Sequence, residues 1–196
     1  MRDLNKANEL FQQLHDEDIL NDDLELQTIM KNYIYGDIYQ HGTLDLKLRE
    51  LILIVVNTTN HTLTALKEHV NAAIKAEVSP IQIKEVIYQC TPYIGLGKVQ
   101  EALEVVNLIF KKHNISTKPQ ATVNEKTRFE KGFEVQSVAF GKDHIQANHD
   151  QASQELKHIQ KYLSEYCFGD FYTRKGLEFK NQRTYDNGYV SDFRWL

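Results

Sequence analysis

Apolar residues recur along the chain with helical spacing. Leu26, Ile29, Met30, Tyr33, Ile34 and Ile38 follow one another at intervals of three and four, one face of an amphipathic helix. Gly42 and Thr43 interrupt that stripe. Leu46 to Val56 is apolar almost throughout and rich in β-branched residues, so periodicity alone would allow a buried strand. Its neighbours are helical, and a buried helix is expected. Asn57-Thr58-Thr59-Asn60 reads as a turn, and Leu63, Leu66, Val70 and Ala73 make the next stripe. Ser79-Pro80-Ile81-Gln82 has the form of a helix start: a capping serine, a proline suited to the first turn, and a glutamine completing a capping box. Val86, Ile87 and Cys90 form the buried face that follows. Gly95 and Gly97 mark a break, and Val99, Ala102, Leu103, Val106, Ile109 and Phe110 form a further amphipathic helix.

Residues 116 to 126 are polar, contain Pro119 and lack periodicity, as a linker does. Beyond them an earlier pattern returns. Tyr35-Gly36-Asp37-Ile38-Tyr39 recurs as Phe168-Gly169-Asp170-Phe171-Tyr172, and the alignment runs without a gap from Leu26/Ile159 to Lys47/Lys180. Such self-similarity implies a duplicated structural unit. The expected organisation is a complete repeat over 1–115, a linker over 116–126 and a truncated second repeat over 127–196. Its tail departs from the pattern after residue 180. Read one base over, Asn181-Gln182-Arg183-Thr184 can restore the Arg-Glu-Leu of the first copy, so a frameshift is the hypothesis for that tail.

Composition narrows the classes. Of the 196 residues 41% are hydrophobic and 26% charged, values of a globular chain. The net charge of -4, with scattered basic residues, gives no footprint for nucleic acid. Cys90 and Cys167 lie far apart, which argues against a disulfide framework and a cysteine metal site. No apolar run approaches the ~18–20 residues of a membrane span, nor does the N-terminus have the apolar run of a signal peptide, so a cytoplasmic location is expected.

Three residues carry the candidate chemistry. Glu50 and Arg49 lie in the apolar helix and His69 in the next. The intervening turn falls midway between Glu50 and His69, so an antiparallel hairpin brings them to the same height. A carboxylate beside an imidazole fixes its tautomer, as an acid/base histidine needs; a structural ion pair would use the same residues. Glu85 and Gln89 share a face of the following helix and, with Tyr93, can line the same pocket. Periodicity equally allows a solvated face for Glu85.

Together these segments resemble the carboxymuconolactone decarboxylase family: Tyr35-Gly-Asp-Ile-Tyr, Gly42-Thr-Leu-Asp-Leu-Lys-Leu-Arg-Glu-Leu, His69-Val, and Glu85-Val-Ile-Tyr-Gln-Cys-Thr-Pro-Tyr-Ile-Gly. The resemblance covers about residues 5–113, with 128–180 as a second copy. It implies an all-α fold with an antiparallel helix-hairpin core and homo-oligomers, commonly trimers or hexamers. The implied activity is decarboxylation, without a cofactor, of a small unsaturated lactone carboxylic acid. Arg49 would clamp carboxylate, His69 serve as acid/base and Glu50 orient it, while Glu85, Gln89 and Tyr93 would bind substrate. A sister branch, the alkyl hydroperoxidase D type, places Cys-x-x-Cys between the matching glutamate and histidine. Here those positions are Thr62 and Ala65. Thiol-dependent peroxide reduction needs a thiolate and a resolving thiol, and neither is present there. A peroxide-stress role without its own thiol chemistry, or a non-catalytic remnant, are the alternatives.

Overall fold

The computed structural model describes residues 3–15 and 23–177, and among them every regular element is helical. The features expected after residue 177, including the aberrant tail, lie outside the described residues. α1 spans Leu4–Leu14 and α2 spans Leu24–Tyr33, running on into π-helical turns over Ile34–Ile38. α3 (Leu46–Thr59), α4 (Leu63–Lys75), α5 (Pro80–Ile94) and α6 (Leu96–Lys112) follow. The second part holds α7 (Arg128–Phe140), α8 (Lys142–Gln151) and α9 (Lys157–Tyr162), the last running into π-helical turns over Leu163–Tyr172. Both aromatic-Gly-Asp segments thus lie in wide turns, where the backbone bonds five residues apart, as Tyr39 N–H to Ile34 O at 2.8 Å.

Local chemistry sets the boundaries. Asp3, Asp23 and Asp45 each accept a backbone N–H from the first turn of α1, α2 and α3, satisfying a donor left open at a helix start. The capping box at Ser79 forms as expected, Ser79 N–H donating to Gln82 Oε1 at 3.3 Å. The β-branched segment is helical, as α3. It runs to Thr59, so Asn57, Thr58 and Thr59, expected as a turn, form its last turn instead. Thr58 Oγ1 donates to Ile54 O at 2.7 Å and Asn57 Nδ2 to Leu53 O at 2.8 Å, bonds that spend their polar groups inside the helix.

α3 and α4 form the expected antiparallel hairpin. Leu51, Ile54 and Val55 of α3, Leu66, Val70 and Ala73 of α4, Ile83, Val86 and Ile87 of α5, and Val99, Ala102 and Val106 of α6 make one core with Ala7 and Leu14 of α1. In the second part α7 crosses the wide turns of α9 very closely. A Cβ on Gly132 would collide with the Ser164 carbonyl oxygen, and one on Gly169 with that of Arg128. Arg128 also pairs with Asp170 across this crossing.

The apolar stripe on α2 is real but does not face the core. Leu26, Ile29, Met30 and Tyr33 are all more than 40% exposed. Their counterparts Ile159, Tyr162, Leu163 and Tyr166 are exposed to a similar degree. No helix among the described residues is long and apolar enough to cross a membrane.

Candidate functional site

The wide turn after α2 swings Tyr35 and Tyr39 inward side by side, their rings 4.9 Å apart. Tyr39 reaches α3, where its hydroxyl donates to Glu50 Oε1 at 2.6 Å. Glu50 is fully buried, and its other oxygen, Oε2, lies 2.9 Å from His69 Nδ1 on α4. An ionised carboxylate only accepts, so Nδ1 carries the proton and Nε2 is left for other partners. The two residues picked out by hairpin symmetry therefore meet directly. Arg49 packs its guanidinium over the Tyr39 ring at 4.6 Å and donates weakly to His41 O at 3.5 Å.

These groups border a cavity of about 380 Å3 between α1, α2, α3 and α4. Its polar wall includes Arg49, His69, Glu68, Tyr35 and Tyr39, together with Gln27, Lys31 and His15. Phe11, Met30, Ile34, Ile38, Ile52 and Leu53 supply most of the apolar wall. His15, at the end of α1, hydrogen-bonds through Nε2 to the Tyr35 hydroxyl. Burial, reinforced by the nearby Glu50 charge, pushes both tyrosine pKa values far up, so both hydroxyls stay protonated. Burial also raises the Glu68 carboxyl above its ordinary value, against the lowering influence of His69 and Lys67.

Glu85, Gln89 and Tyr93 do not line this cavity. They lie on α5, where Glu85 and Tyr93 meet residues of the wide turns after α9 and of the segment beyond. Arg174 Nε and Nη2 bond Glu85 Oε2 and Oε1 at 2.7 and 2.9 Å, and the same guanidinium stacks 4.8 Å over Tyr88. Glu85 is consequently buried, not the solvated face that periodicity also allowed. Gln89 is buried beside it, and the Tyr93 hydroxyl bonds that of Tyr172. The shared pocket expected for the six positions is thus corrected: Arg49, Glu50 and His69 cluster, while Glu85, Gln89 and Tyr93 lie on α5 away from them, with Glu85 bonded to Arg174 and Tyr93 to Tyr172.

Tyr39, Tyr35, His15 and Glu68 were missed by the sequence reading. Tyr35 and Tyr39 carry a trace, being four apart within the repeated motif, but a regular helix gave no reason to turn both inward. His15 lies in a polar stretch and reaches the site only because α1 packs on the wide turn. Cys90 is fully buried on α5, as its stripe suggested.

Residues 25–108 match the model of the carboxymuconolactone decarboxylase family. The match spans α2 to α6 and takes in Arg49, Glu50 and His69. No curated protein matches the chain.

Proposed function

We propose that the chain is a decarboxylase that needs no cofactor and acts on an unsaturated lactone carboxylic acid such as 4-carboxymuconolactone. The bond between buried Glu50 and His69 Nδ1 at 2.9 Å, at the edge of a cavity that also holds Arg49, carries the reading. Arg49 draws the substrate carboxylate in. The bond from carbon to carboxylate breaks, CO2 departs, and the electron pair stays on the ring carbon, spread into the conjugated lactone carbonyl. A proton delivered from His69 Nε2 forms the new C–H bond, and the imidazole regains one from solvent. Glu50 holds the ring in place and stabilises the protonated form that precedes transfer, while Tyr39 holds Glu50. Thr62 and Ala65 cannot supply the thiol pair of the peroxide-reducing branch.

Purified protein incubated with 4-carboxymuconolactone and related lactone acids should release CO2, followed by coupled carbonate detection. Folded, assembled protein that releases none from any of them would overturn the assignment. The acid-binding pocket belongs to a chain we also propose to be a homo-oligomer, because the exposed stripes of α2 and α9 are too apolar to stay in water.

A further inference from the structure

4-Carboxymuconolactone is a compact acid with two carboxylates, one that leaves as CO2 and one that stays. The cavity wall holds two side chains of permanent positive charge, Arg49 and Lys31. They come from different helices. Arg49 shares a face of α3 with Ile52 and Leu53, and Lys31 lies one turn beyond Gln27 on the face of α2 that lines the cavity. Both are half-buried. Among the described residues, Arg49 meets the Tyr39 ring and the His41 carbonyl, Lys31 meets the Phe11 ring at 5.9 Å, and neither is paired with a carboxylate. A separation of 5.9 Å is near the limit of cation–π attraction, so the ammonium is weakly held there. Glu68, also on the wall, does not neutralise them: burial disfavours its charged form, and the cations that act on it are His69 and Lys67. Two half-buried cations without counter-ions suit a ligand that brings two anionic groups.

We propose that Lys31 is the second carboxylate-binding residue of this site, holding the carboxylate that stays while Arg49 takes the one that leaves, so that the cavity selects compact dicarboxylates over monocarboxylates of equal length. This rests on the acid-binding reading above and adds the residue that sets its specificity. An anchor at each end restricts how the lactone can turn in the cavity, which is how contacts remote from the reacting carbon assist a reaction.

The test is binding, which needs no turnover. Adipate and hexanoate have equal carbon number and differ by the second carboxylate. Calorimetric titration of the full chain should show adipate binding about tenfold more tightly, the scale of one hydrogen bond to a charged group. Lys31→Met keeps an apolar stem beside Phe11 and removes the charge. It should bring adipate down to the affinity of hexanoate and leave hexanoate unchanged, with helical circular dichroism preserved. Lys31→Arg should restore most of the preference, and Arg49→Gln should weaken both acids. Adipate binding no tighter than hexanoate, or a preference for adipate that survives Lys31→Met, would overturn the proposal while leaving acid binding at Arg49 intact. Failure of both acids to bind would overturn it together with the acid-binding reading. A preference for adipate that depends on Lys31, in a protein that releases no CO2 from 4-carboxymuconolactone, would uphold the dicarboxylate site and overturn the decarboxylase alone.

Discussion

The hydrogen bonds around Glu50 set roles for individual residues. Two donors, the Tyr39 hydroxyl and His69 Nδ1–H, converge on its two oxygens inside the protein. His69→Ala removes the proton carrier and should reduce CO2 release by at least ~100-fold, the scale of general acid–base catalysis. His69 is partly exposed at the cavity edge, so little stability should be lost with it. Glu50→Gln should cost less activity, because its amide oxygen still accepts one bond but its NH2 then faces the second donor. If the pair were structural, either change would lower the melting temperature and leave activity per folded molecule intact. Steady-state rates set beside thermal denaturation of both variants decide between the two. Glu68 gives a separate expectation. Its folded-state carboxyl is raised by burial, so its favourable contribution is complete below the ordinary glutamate value of about 4.3 and is lost as pH climbs through the raised value. Glu68→Gln cannot ionise. The variant should therefore melt above the parent at pH 7, with the difference shrinking toward pH 4. A variant less stable than the parent at pH 7 would contradict this.

At the scale of helices, α5 is held from outside by a segment far away in sequence. Arg174 grips Glu85 with two bonds and covers it. Arg174→Met would strand a buried carboxylate, which typically costs about 3–5 kcal/mol. Denaturant unfolding should register that loss. Adding Glu85→Gln should recover much of it, since the stranded charge is then gone. If Glu85 instead served a ligand and gave no support to the fold, Arg174→Met would leave stability unchanged. The same pair explains what the sequence could and could not convey. The hairpin of α3 and α4 was legible because its partners lie close along the chain and symmetry about the turn fixes their height. That reasoning placed Glu50 against His69. Glu85 was misplaced because its partner lies 89 residues away and belongs to another element, beyond the reach of any local periodicity. The inward turn of Tyr35 and Tyr39 was hidden for a different reason: a widened helical turn changes which side chains share a face. The last turn of α3 was missed because Asn57 and Thr58 look like turn residues until their side chains bond the helix carbonyls behind them.

For the whole molecule, the unsettled surface is the apolar one. α2 presents Leu26, Ile29, Met30 and Tyr33, and α9 with its wide turns presents Ile159, Tyr162, Leu163 and Tyr166. These side chains are between 39 and 58% exposed in the single chain. The periodicity was read correctly on α2, yet an apolar stripe announces burial without saying against what. Ile159, Leu163 and Tyr166 stay 39 to 49% exposed, whereas Cys167, Phe168 and Tyr172, on the inner side of the wide turns, form a cluster with Phe171 and Val135. Two matched stripes on one chain can each cover the other on a neighbouring copy, and Met30 and Ile38 also border the cavity, so such a contact would narrow its mouth. Light scattering on the full chain should therefore report a mass at least twice that of the 22.8 kDa protomer. Ile29→Glu should lower that mass by placing a charge inside the contact, with helical circular dichroism preserved because Ile29 makes no core contact. Tyr162→Glu should act in the same direction if the two stripes meet, whereas dissociation by Ile29→Glu alone would mean that α2 pairs with α2. A parent protein that is monomeric at micromolar concentration would show instead that these faces stay open to water.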